Sequence, residues 1–208
     1  TLCTQNRYLP PMKYSTKGTI RMPAAERRQQ ILDTSLSVFA QSGYHETSMN
    51  ALAAEAGVTK PVLYQHFESK HDLFVQLLQR TGDSLHSSIT AETAKAITPR
   101  QRVEAGFRAF FRFFDQFPDA FAVLYSSNLG SVSEFRKEAR RIQETFVNLI
   151  ARMIRSTNRE DALALAAGIN GVAEGMVRYW MHEGHRHTAD SMASLTAKLA
   201  WSGLARLA

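Results

Sequence analysis

The sequence predicts an all-α fold, with a group of short helices near the N-terminal end and a larger helical assembly after it. Three observations predict it. Apolar residues recur at three- and four-residue spacing from Pro23 to the end of the chain. No run of useful length alternates with the two-residue period of a strand, and Asn170-Gly171, a hairpin signal elsewhere, sits inside a helical pattern. Glycines, prolines and capping residues fall where the helical runs should begin and end.

Residues 1–22 show no apolar period and contain Pro10-Pro11 and Gly18, so they read as a flexible arm with Lys13, Lys17 and Arg21 placed to brush an anionic partner. Helix one starts at Pro23, buries Ile31, Leu32, Leu36, Phe39 and Ala40, and is stopped by Gly43 after Ser42. A second, short helix begins near Thr47-Ser48, carries Met49, Leu52 and Ala53 inward, and ends at Gly57. Thr59 caps a third, with Pro61 in its first turn and Leu63 and Phe67 facing inward. Ser69-Lys70 opens a fourth with Leu73, Phe74, Leu77 and Leu78. An aromatic helix follows over 99–117, a short one from Pro118 to about Ser126, and then three longer ones over 133–155, 159–182 and 188–207.

At 44% hydrophobic and 21% charged over 208 residues, the composition is that of a globular chain long enough to bury a sizeable core. No apolar run approaches the ~20 residues of a membrane-spanning helix, and the first 22 residues hold no apolar signal core, so a cytoplasmic protein is expected. Cys3 is the sole cysteine, which excludes an intramolecular disulfide and a cysteine-based zinc finger. The net charge of +6 points mildly to an acidic partner. That excess divides evenly between residues 1–80 and 81–208, so a nucleic-acid reading has to rest on motifs.

One motif carries it. Two short helices joined by Ala56-Gly57-Val58-Thr59 have the form of a helix-turn-helix, with Gly57 supplying the positive φ of the sharp turn and Val58 plugging the angle. The second helix of such a pair enters a DNA major groove by its N-terminal end, so Thr59, Lys60, Pro61, Val62, Tyr64, Gln65 and His66 become candidate contacts. They mix hydrogen-bond donors, one cation and apolar groups able to meet a thymine methyl.

The stretch 24–80 keeps Gly43-Tyr44, Thr47, Ala53, Ala56-Gly57-Val58, Leu63-Tyr64, His66-Phe67 and Ser69-Lys70 in order, and it resembles the DNA-binding domain of the tetracycline-repressor (TetR) family of transcriptional regulators. The resemblance implies roles residue by residue. Thr47 and Ser48 hold a phosphate through hydroxyl and backbone N–H groups, and Thr59 caps the recognition helix and touches another. Lys60 reads a guanine edge, Pro61 and Val62 make apolar base contacts, and Asn50 and Gln65 are further base readers. Tyr64 and His66 face the DNA backbone, and Lys70 neutralises a phosphate. Beyond residue 80 the family shares architecture rather than sequence.

A single helix-turn-helix makes too little contact for selective binding, so such readers act as dimers on inverted half-sites roughly 34–36 Å apart or a multiple of that. Gly168, Gly171, Val172, Gly175 and Tyr179 share one face of the penultimate helix, and Met192, Leu195, Leu199 and Trp201 lie in the last. The resemblance implies that these two helices pair with their copies in a four-helix bundle; glycines that merely tighten internal packing are the alternative.

Val103, Phe107, Phe110, Phe111 and Phe114 form a stripe on a helix that is aromatic nearly all round, which suggests the lining of an effector cavity besides core. Phe121, Tyr125, Phe135, Phe146 and Met153 are candidates to close it. Asn170, Glu174 and Arg178 stand four residues apart, either with Glu174 and Arg178 as a surface pair or with all three as anchors for an effector's head group. GVAEGMVRYW and LAWSGLARL resemble actinobacterial family members that sense lipids, so a fatty acid or acyl thioester is favoured, with a lipophilic drug or steroid-like molecule open.

His182-Glu183-Gly184-His185-Arg186-His187 lacks the four-residue histidine spacing of a helical zinc-hydrolase site and reads as a solvated loop. No nucleophile elbow, phosphate-cradling loop or carboxylate pair is present, so neither catalysis nor a cofactor nor a resident metal is expected. The expectation is an arm at 1–22, a three-helix helix-turn-helix domain at 23–80 and a helical ligand-binding and dimerisation domain at 81–208. Together they make a homodimeric repressor released from a palindromic DNA operator by a small effector. An activator, or an effector acting as corepressor, uses the same parts.

Overall fold

The computed structural model describes residues 22–125, 133–154, 156, 158–183 and 186–204. Among these are nine helices: α1 Ala24–Glu46, α2 Met49–Glu55, α3 Lys60–His66, α4 Lys70–Ala94, α5 Pro99–Gln116, α6 Pro118–Tyr125, α7 Ser133–Ala151, α8 Arg159–His182 and α9 Ala189–Leu204. The expected arm, residues 1–21 at least, lies outside the described residues.

Local chemistry places the boundaries. Gly43 adopts φ +75° within α1, so the helix breaks there and resumes for a last short piece to Glu46. Ser48, Ser69, Thr98 and Asn158 each accept a backbone N–H from the first turn of α2, α4, α5 and α8, and Thr98 with Gln101 completes a capping box. Gly57, at φ +63°, makes the turn between α2 and α3.

Two cores form. The first gathers α1–α3 around Ile31, Leu52, Leu63, Phe67, Leu73 and Leu77. It also takes Val123 of α6 and Phe135 of α7. Phe135, expected to close the cavity, is instead 1% exposed beside Tyr44, Phe74 and His71, with the His71 ring stacked on it at 5.2 Å. The second core packs α5 against α4, α8 and α9 around Phe111, Phe114, Val177 and Trp180. α4 runs through both, so the sequence boundary at residue 80 falls inside one continuous helix. Where α4 crosses α7, Gly82 lies so close to Ile142 that a Cβ there would stand 3.2 Å from its side chain.

Candidate functional site

The α2–α3 pair is built from the inside outward. Leu52, Ala53, Ala56 and Leu63 are buried and Val58 half-buried, which fixes α3 against α1 and α2. The Arg28 guanidinium sits 4.7 Å over the Phe67 ring and closes the far side. This anchoring turns Lys60, Pro61, Tyr64 and Gln65 to solvent, with Val62 and His66 half-buried beside them. Lys60, Tyr64 and Gln65 make no side-chain hydrogen bond or ion pair among the described residues. Asn50 and Ser48 are exposed on the same motif, and the Ser48 hydroxyl oxygen accepts from the Ala51 N–H at 3.1 Å.

Two expected contacts take other positions. Thr47 is 2% exposed, and its hydroxyl donates to the Gly43 carbonyl at 2.6 Å; it ties the broken end of α1 together instead of facing outward. Lys70 is likewise spent within the chain. Its ammonium donates to the carbonyls of Tyr44 and Thr47 at 2.8 Å and of His45 at 3.2 Å, and rests 4.5 Å from the Tyr44 ring centre. An ammonium has three N–H donors, so none is left over for a phosphate. Thr59 keeps its expected place: it is the exposed N-cap of α3, and its hydroxyl accepts no bond from the helix.

The face expected to pair copies is open. Among the described residues, a Cβ at Gly168, Gly171 or Gly175 would meet nothing within 4 Å, so these glycines do not tighten packing against them. Tyr179, Leu195 and Leu199 are exposed, and Val172 is half-buried. Two residues of α9 are different: Met192 is buried in the second core, and Trp201, half-buried, lines the cavity.

That cavity, of about 1040 Å³, lies between α5, α7, α8 and the end of α9. Phe107, Phe110, Phe146, Ile150, Leu165 and Ile169 supply its apolar surface, and Val103 and Met153 join them. Phe111 and Phe114 do not reach it; both are fully buried, Phe111 edge-on to Trp180 and Phe114 within the ring cluster of Phe110, Phe113, Phe121 and Tyr125. Phe121 and Tyr125 belong to that cluster and not to the lining.

The polar row on α8 is divided. Asn170 lines the cavity, and its Nδ2 donates to Glu174 Oε1 at 2.7 Å. Glu174 and Arg178 lie outside it and form no ion pair with each other among the described residues; Arg178 donates to the Tyr125 carbonyl at 3.3 Å. Burial pushes the Glu174 carboxyl above its ordinary range, against the Asn170 hydrogen bond and the Arg178 charge. Burial, helped by the Glu174 charge, also raises the Tyr125 phenol. The wall holds three polar residues that the sequence reading did not single out: Arg102, Asp161 and Ser156. No group of metal-ligating side chains is present among the described residues. None of the described helices is long and apolar enough to cross a membrane.

Comparison with known proteins bears on both parts. The family model of bacterial regulatory proteins, tetR family, matches residues 31–77. The HTH-type transcriptional activator FasR of Mycolicibacterium smegmatis is 31% identical over 190 residues, covering 90% of this chain and 87% of that protein. The crystal structure of a TetR-like transcriptional regulator from Rhodococcus sp. RHA1 superposes with a TM-score of 0.75 at 30% identity, over 89% of this chain and 99% of the other. The regulator FadR of Bacillus subtilis, solved in complex with stearoyl-CoA, shares the fold with a TM-score of 0.74 at 19% identity, over 84% and 98%.

Proposed function

Because the chain belongs to the TetR family of bacterial transcriptional regulators, we propose that it is a homodimeric repressor that leaves an inverted-repeat operator when a long, largely apolar effector enters the cavity. The observation that carries this reading is the outward face of α3, where Lys60, Tyr64 and Gln65 stand without side-chain partners among the described residues while Leu63 holds the helix from behind. Lys60 reads a guanine, Pro61 and Val62 meet thymine methyls, Asn50 and Gln65 read further base edges, and Tyr64, His66, Ser48 and Thr59 position the backbone. Gly168, Gly171, Gly175, Leu195 and Leu199 form the pairing face, which sets the distance between the two α3 helices.

The effector class follows from the cavity: its volume and lining suit a fatty acyl chain. FadR of Bacillus subtilis, of the same fold, was solved with such a chain as its CoA thioester. An effector that prefers the dimer with wrongly spaced recognition helices lowers operator affinity by the factor that the operator lowers its own. Selection from a random duplex pool near physiological salt tests the reading. Enrichment of an inverted repeat, and its release by a long-chain acyl compound, is expected; a folded dimer that enriches nothing overturns it.

One observation favours a second sign of regulation: the relative from Mycolicibacterium smegmatis is a transcriptional activator. In vitro transcription from a promoter carrying the selected repeat separates the two. Repression without effector supports the first reading, and stimulation supports the second.

A further inference from the structure

α5 carries four arginines. Arg100 Nε donates to Glu104 Oε1 at 3.0 Å, and Arg112 makes paired bonds to the Asp190 carboxylate at 2.9 and 3.0 Å. Arg108 is exposed beside the same Asp190. Arg102 is unlike these three. It is half-buried, it lines the cavity, and no hydrogen bond or ion pair engages its guanidinium among the described residues.

A guanidinium has five N–H donors and no acceptor, so at this largely apolar wall Arg102 offers donors suited to an anionic partner. The acidic residue of the lining, Asp161, is not that partner. It is exposed in the first turn of α8, where water and the free N–H groups of the helix end stabilise its carboxylate. The other head-group candidates are engaged elsewhere, Asn170 with Glu174 and Arg178 with the Tyr125 carbonyl.

We infer that Arg102 is the head-group anchor of the cavity and selects effectors whose apolar chain ends in an anion, carboxylate or phosphate, over neutral lipophiles of the same length. This rests on the reading of the cavity as an effector site. The apolar chain lies along Phe107, Phe110 and Phe146, and the planar guanidinium meets two oxygens of the head at once.

Titration calorimetry on the full chain with dodecanoate, dodecan-1-ol and dodecanoyl-CoA tests it. The parent is expected to bind at least one anionic probe roughly tenfold or more tightly than the alcohol, as a charge-assisted hydrogen bond warrants. Arg102→Gln is expected to erase that preference while binding the alcohol about as well as before. Arg102→Lys, which keeps the charge and most of the stem, retains part of it. A preference shown by dodecanoate identifies the carboxylate of a free acid; one confined to dodecanoyl-CoA identifies phosphate, and both support the anchor. Equal affinity for all three probes, or a preference that survives Arg102→Gln, overturns the role of Arg102 and leaves the apolar effector site standing. Failure of all three to bind the parent overturns the effector reading itself, and this inference with it.

Discussion

Two lysines of the DNA-binding half show how residues alike in sequence come to differ. Lys60 opens α3 with no side-chain partner among the described residues, whereas Lys70 is gripped by three carbonyls at the broken end of α1. Lys60→Ala is expected to cost about 1–3 kcal/mol of discrimination between operator and random DNA, read from competition binding, with little change in folding stability. Lys70→Met should do the reverse, lowering unfolding stability in urea by about 1–3 kcal/mol because it removes a charged donor set and orphans those carbonyls. Motif order aligned both lysines with a DNA-binding domain, but only packing shows which ammonium is occupied. Glu174 gives a pH-dependent prediction. Its carboxyl is raised above 4.5 by burial. Its stabilising share is therefore full below the unfolded value and is lost as pH rises through the folded one. Glu174→Gln keeps an acceptor for Asn170 and removes the titration. Thermal melts should find it more stable than the parent near about pH 8, with the margin closing toward about pH 4.

At the scale of elements, helix positions were legible because each start and stop is a local chemical event. Ser69, Thr98 and Asn158 cap where their sequence neighbours require it, and Gly43 breaks α1 by a backbone conformation other residues resist. The face a helix turns to its surroundings is a different matter. α5 is aromatic on most sides, so periodicity alone could not sort Phe107 and Phe110 on the cavity wall from Phe111 and Phe114 in the core. The glycine face of α8 is a further prediction. Among the described residues nothing opposes a methyl at Gly171, so Gly171→Ala should favour the isolated helix by about 0.5–1 kcal/mol. If that face meets a second copy, the same methyl must weaken the dimer. Sedimentation equilibrium is expected to show a raised dissociation constant, and an unchanged one would place the pairing surface elsewhere.

For the whole molecule, the two cores are interlocked and not strung in series. Val123 and Phe135 belong to the DNA-binding core although they lie beyond residue 80, and Leu124 and Ile142 pack against both cores. A ligand-filled cavity and the α3 helices therefore act on one body, and occupancy of one site is expected to be felt at the other. Leu165→Trp, which places an indole in the cavity, should weaken binding of a long acyl compound at least tenfold by occupying its volume. Operator complexes of the variant should then survive effector concentrations that dissolve those of the parent, as a gel-shift titration would show.

The all-α class, the order of the helices, the helix-turn-helix and the family can all be read from the residues, because caps, breakers and apolar period act over a few residues and are written locally. Packing in three dimensions is what makes Thr47 and Lys70 serve the fold, leaves the α8 glycines uncovered among the described residues, and puts Arg102 and not Glu174 or Arg178 on the cavity wall. Apart from the Thr47 bond, which closes over four residues, each of those depends on what a distant part of the chain brings opposite, and two side chains at the same position of the helical period differ only in what packing brings against them.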